Sequence, residues 1–148
     1  MRRERGFTLV ELLVVFAIMA LVVGLAPIAF ERLREAAAYR DAVRTISSQM
    51  RSARFTAMAE GREVRFSVDL RNRAYGVGAA MKPLPPPLEL RAIVASTEID
   101  PQSRASIRFL PSGGATGGSI EILRAPGVGT RLRVDWLSGR VTQEALTR

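Results

Sequence analysis

Arg5-Gly6-Phe7-Thr8-Leu9-Val10-Glu11-Leu12-Leu13-Val14-Val15-Phe16 leads into an apolar run that carries no charge from Leu12 to Phe30. That run is close to the roughly 20 residues a membrane-spanning helix needs. On insertion scales an acidic residue at a helix centre costs about 2.5–3.5 kcal/mol, so Glu11 calls for a functional partner. Upstream lies a short basic leader, Met1-Arg2-Arg3-Glu4-Arg5-Gly6, whose arginines favour the cytoplasmic side. A secretory signal peptide would have a shorter apolar region followed by a small-residue cleavage site, and neither is found here. A plain membrane anchor would have no use for Glu11.

Past Phe30 the composition changes while the helical period continues. Tyr39, Val43, Ile46, Met50, Ala53 and Ala57 recur at alternating steps of four and three, forming one apolar stripe. Arg40, Arg44, Arg51 and Arg54 fall away from that stripe, and Gly61 is a natural stop. The spacing predicts one helix from Phe7 to Glu60, about 80 Å long at 1.5 Å per residue. Pro27 removes a backbone hydrogen bond and is expected to kink the apolar half, with Gly24 easing the bend. A coiled-coil partner is the alternative use of the stripe, but strands follow at once and favour packing within the chain.

From Arg62 the period is two. Val64, Phe66, Val68 and Leu70 alternate with Glu63, Arg65, Ser67 and Asp69, as on a half-buried strand. Arg71-Asn72-Arg73 turns the chain, and Tyr75 and Val77 begin the return. Lys82-Pro83-Leu84-Pro85-Pro86-Pro87 reads as an extended loop, stiff surface connection rather than ligand for a proline-binding groove. Further strands are expected over 88–95, 105–110, 119–124, 130–137 and 140–144. Leu132, Val134 and Trp136 alternate, and Ser138-Gly139 reads as a two-residue hairpin turn. That turn would pair Leu137 with Arg140, Asp135 with Thr142, and Arg133 with Glu144. The fold class is α+β: a long N-terminal helix packed on an antiparallel β domain.

The opening segment resembles the class III leader of type IV pilins and type II secretion pseudopilins. Ile107-Arg108-Phe109-Leu110-Pro111-Ser112-Gly113, Ser119-Ile120-Glu121-Ile122 and Val134-Asp135-Trp136-Leu137-Ser138-Gly139-Arg140-Val141 resemble the closing pattern of the GspH/FimT family of minor pseudopilins and minor pilins. The middle, 71–104, carries nothing diagnostic. The resemblance implies that a prepilin peptidase cuts after Gly6 and methylates the new N-terminal amine of Phe7. It implies that Glu11 pairs with the N-terminal amine of a neighbouring subunit during assembly. The implied organisation is a cleaved leader (1–6), a transmembrane half-helix (7–30), an amphipathic half-helix (31–60) and a periplasmic β domain (61–148). The implied home is the bacterial inner membrane, crossed once, and the implied partners are prepilin peptidase, other major and minor pseudopilins, and secreted substrates.

Enzymatic motifs fail in turn. Gly113-Gly114-Ala115-Thr116-Gly117-Gly118 lacks the Gly-Lys-Ser/Thr end of a phosphate loop, and Gly127-Val128-Gly129 precedes a strand, not a helix. With no cysteine and no histidine, the usual zinc sites and histidine-based triads are unavailable, so no metal, cofactor or catalysis is expected. The formal charge is +8, and the leader and apolar helix account for only one of those charges. Such a balance permits an anionic partner without naming it. Some type IV pilus relatives bind DNA through a C-terminal Gly-Arg-x-Arg motif; Gly139 and Arg140 match, but Thr142 stands where the second arginine belongs. In the expected hairpin Arg131, Arg133 and Arg140 share one face with Asp135 and Glu144, a mixed surface and not the continuous basic track phosphates prefer. The leading expectation is a subunit of a type II secretion pseudopilus, and the alternative is a type IV minor pilin for pilus assembly or DNA uptake.

Overall fold

A computed structural model describes residues 8–99 and 104–147, with the side chains of residues 25–29 and Ser96 outside the description. The chain divides after Ala37 into two compact units. One helix, α1 (Leu9–Glu60), contributes to both. The expected leader, the cut between Gly6 and Phe7 and the side chain of the kink residue Pro27 lie outside the described residues.

In the first unit α1 is apolar on every side from Leu12 to Val23. Leu13, Phe16 and Leu21 point in different directions and are each more than 60 % exposed. A helix that is hydrophobic all round suits a buried or lipid environment rather than water. Among the described residues no helix is long and apolar enough to cross a membrane. Within the apolar run, which continues to Phe30, the side chains of residues 25–29 lie outside the description.

Among the described residues, the second unit is built on the amphipathic part of α1 and eight strands. These are β1 (Val64–Asp69), β2 (Ala74–Val77), β3 (Ala80–Pro83), β4 (Glu89–Ile93), β5 (Arg104–Phe109), β6 (Gly118–Ala125), β7 (Val128–Val134) and β8 (Val141–Leu146). They form two four-stranded antiparallel sheets, ordered β3-β2-β1-β5 and β4-β6-β7-β8. The helix stripe read from the sequence is the buried one: Val43, Ile46, Met50, Ala53 and Ala57, joined by Ala42. It shares one core with Phe66, Val68 and Tyr75 from the first sheet and Ile120, Ile122 and Leu132 from the second. Each such large side chain contributes about 1.5–3 kcal/mol on burial, so this core, and not helix propensity, holds the unit together. Tyr39 adds a polar tie, its hydroxyl sharing a 2.6 Å hydrogen bond with that of Thr130. Gly129 is required by a close approach: a Cβ there would lie 2.1 Å from the carbonyl oxygen of Ile122.

Four expectations are corrected. Leu70 does not continue the buried face; β1 ends at Asp69, whose buried carboxylate turns back to accept the Asn72 backbone N–H (2.8 Å) and side-chain amide (2.9 Å). Those bonds hold its carboxyl below the usual range. Lys82 and Pro83 are not loop: they close β3, an edge strand, where a missing N–H costs no ladder bond. The strand expected over 130–137 stops at Val134, so Trp136 does not continue its alternation and is 68 % exposed. The β7–β8 turn is longer than two residues, with Val134 opposite Val141, Arg133 opposite Thr142 and Arg131 opposite Glu144. Asp135 causes the shift. Its Oδ1 accepts both the N–H and the hydroxyl of Ser138 at 2.8 Å, while Gly139 (φ 62°) donates to the Asp135 carbonyl. A carboxylate capping its own turn in this way leaves the ladder early.

Candidate functional site

Two places carry the residues singled out from the sequence. At the start of α1, the Thr8 hydroxyl accepts the backbone N–H of Glu11 at 3.2 Å. Thr8 therefore caps the helix, and Glu11 lies in its first turn. There the helix dipole favours a carboxylate by about 0.3–1 kcal/mol, less than the cost of burying one in lipid. Thr8 was not singled out from the sequence, although Thr-x-x-Glu before an apolar run is a capping signature.

The second unit holds the arginines considered for anion contact. The structure separates them. Arg131 is occupied: its Nε and Nη2 donate to Glu121 Oε1 at 3.0 and 2.7 Å, and Glu144 lies 3.9 Å away. Arg133 is exposed beside a cleft that it lines with Arg131, Asp135 and Trp136. Asp135 remains a carboxylate below its usual pKa, held chiefly by the Ser138 hydrogen bonds, then by the backbone N–H of Leu137 and least by the charge of Arg133. Negative charge is thus interleaved with positive on this face. Arg140 turns elsewhere and lines a different cleft with Arg51 and Arg54 of α1. Neither helix arginine was assigned a role from the sequence, because the contact with the β7–β8 turn is far apart in the chain.

The turn is held by backbone contacts. Ala115 N–H donates to Trp136 O at 2.9 Å, and Arg54 Nε donates to Gly113 O at 2.9 Å. A Cβ at Gly139 would lie 2.3 Å from Gly113 O, so the two glycine loops nest against each other. A separate cluster is structural: Arg108 bridges buried Glu98 and exposed Glu63, tying the short 3-10 turn Ser96–Glu98 to β5. Those pairings, that with Glu98 first, raise the Arg108 pKa further and keep it charged. Among the described residues no three acidic side chains gather as metal ligands would.

Comparison with known proteins bears on both places. Residues 1–27 match the prokaryotic N-terminal methylation motif, and residues 42–139 match the type II transport protein GspH. Type II secretion system protein H of Xanthomonas campestris pv. campestris is 33% identical over 141 residues, covering 95% of this chain and 83% of that protein. Among solved structures, the minor pseudopilin EpsH of the Vibrio cholerae type 2 secretion system superposes with a TM-score of 0.57 at 16% identity. That match covers 72% of this chain and 96% of the other and shows a shared fold. The type IV minor pilin FimU of Pseudomonas aeruginosa gives a TM-score of 0.47 at 16% identity, over 71% of this chain and 91% of that one.

Proposed function

The chain belongs to the GspH family of type II transport proteins, and from that membership we propose that it is a minor pseudopilin of a type II secretion pseudopilus. What carries the reading is the order of two matches on one chain, an N-terminal methylation motif followed by a GspH domain. The apolar helix of residues 7–30 anchors the protein in the bacterial inner membrane, and the β domain of residues 61–148 stands in the periplasm. Prepilin peptidase removes residues 1–6 and methylates Phe7. Glu11 then pairs with the N-terminal amine of a neighbouring pseudopilin, which offsets the desolvation of both charges. The role is structural, in the company of major and minor pseudopilins and the substrates they export. DNA uptake is disfavoured on two observations: Thr142 replaces the second motif arginine, and Arg131 is spent on Glu121.

This reading fixes an orientation that can be measured. Protease added to spheroplasts is expected to remove the β domain and leave a membrane-embedded fragment resistant to alkaline carbonate. Protection of the β domain in intact spheroplasts, with digestion only after lysis, would place it in the cytoplasm and refute the reading.

A further inference from the structure

We propose that Arg51, Arg54 and Arg140 form a clamp for the carboxylates of an acidic segment on another protein subunit. Arg51 and Arg54 are one helical turn apart on α1, so they project from neighbouring positions of the same face. With Ser138, Gly139, Arg140 and Val141 they line one cleft of about 270 Å³. Among the described residues none of the three makes an ion pair, although seven other pairings do form in the protein. Three guanidinium groups gathered without a carboxylate repel one another, and an incoming anion relieves that repulsion.

Arg54 is held ready. Its Nε is fixed on Gly113 O at 2.9 Å, and a Cβ at Gly139 would lie only 2.9 Å from that same Nε. The contact orients the guanidinium plane and leaves the terminal nitrogens for a ligand. Planar guanidinium forks match a carboxylate in bidentate fashion, with charge-assisted bonds about twice as strong as neutral ones. Leu137, exposed on the same turn, offers apolar contact beside the charge.

A protein carboxylate fits better than a nucleic-acid backbone. The three arginines surround one small cleft and do not extend as a track. The face built by β6, β7 and β8 carries Glu121 and Glu144, with Asp135 on the turn that follows β7, and these carboxylates repel a string of phosphates. The choice of a protein ligand rests on the reading of the chain as an assembly subunit. Binding can be read on the isolated chain, so failure of filament assembly and failure of the clamp are separable.

The test uses the full chain in uncharged detergent micelles and a fluorescein-labelled, capped peptide of alternating glutamate and glycine, followed by anisotropy. Saturable, salt-sensitive binding is expected, weakened about tenfold by the double variant Arg51→Gln/Arg140→Gln. The double variant Arg91→Gln/Arg133→Gln removes the same charge from other exposed positions and is expected to change binding by less than about twofold. Arg54 is left in place because it supports Gly113. If circular dichroism shows the first double variant unfolded, its two single variants are measured instead, each expected to weaken binding about threefold. Equal losses in both double variants, or no saturable binding, would show ordinary hydrated arginines and overturn the proposal. Tighter binding of an oligothymidylate, lost in the first double variant, would overturn it in favour of nucleic acid.

Discussion

A chain carrying Gly6→Leu is expected to accumulate at full precursor length in the membrane, with processing slowed by about two orders of magnitude. Glycine lets a protease approach the backbone closely, and a leucine side chain at the scissile bond removes that access. Displacement of reacting groups by about 1 Å is enough to cost about a hundredfold in rate. The uncut leader also keeps Arg2, Arg3 and Arg5 in place and leaves no free amine at Phe7. Intact-mass measurement of the membrane fraction reads the outcome directly. A product shortened by residues 1–6 at the normal rate would show that the cut is elsewhere.

The second large effect belongs to Glu11. Glu11→Ala should be inserted and processed normally but should enter pseudopili at least about a hundredfold less well. An ion pair at about 4 Å with an effective dielectric constant of about 20 is worth about 4 kcal/mol, enough to offset the roughly 2.5–3.5 kcal/mol cost of the buried carboxylate. Removing one partner of a buried pair costs about 3–5 kcal/mol, because the other charge is left without compensation. A purely local role gives a different magnitude. If Glu11 serves only the start of α1 beside Thr8, the loss is limited to about 0.3–1 kcal/mol, and incorporation stays within about fivefold. Quantifying processed subunit in sheared pseudopili against the membrane pool separates the two. Near-normal incorporation would remove the pairing role.

Much of the fold was legible because its signals are periodic. The stripe Val43–Ile46–Met50–Ala53–Ala57 and the alternation of Val64, Phe66 and Val68 predicted buried faces that are buried. The misreadings occur where a polar side chain bends the chain locally. Asp69 ends β1 one residue before Leu70 could point inward, and Asp135 ends β7 two residues before Trp136 could. Neither the two-sheet division nor the edge role of β3 has a period of its own. Both depend on pairings between distant strands. Residues 131, 133 and 140 were grouped because they are close in sequence, whereas the cleft that Arg140 lines with Arg51 and Arg54 exists only in the folded chain. The N-terminal motif was legible because its parts are adjacent in the chain, and its match to residues 1–27 follows that adjacency.

An in-frame deletion of the gene, with exoproteins quantified in the culture supernatant and in the periplasm, tests the central claim most directly. A type II secretion pseudopilin is needed for the last step across the outer membrane, so we expect secreted proteins to accumulate in the periplasm and the wild-type gene to restore their release. Undiminished exoproteins in the supernatant of the deletion strain would contradict the secretion role.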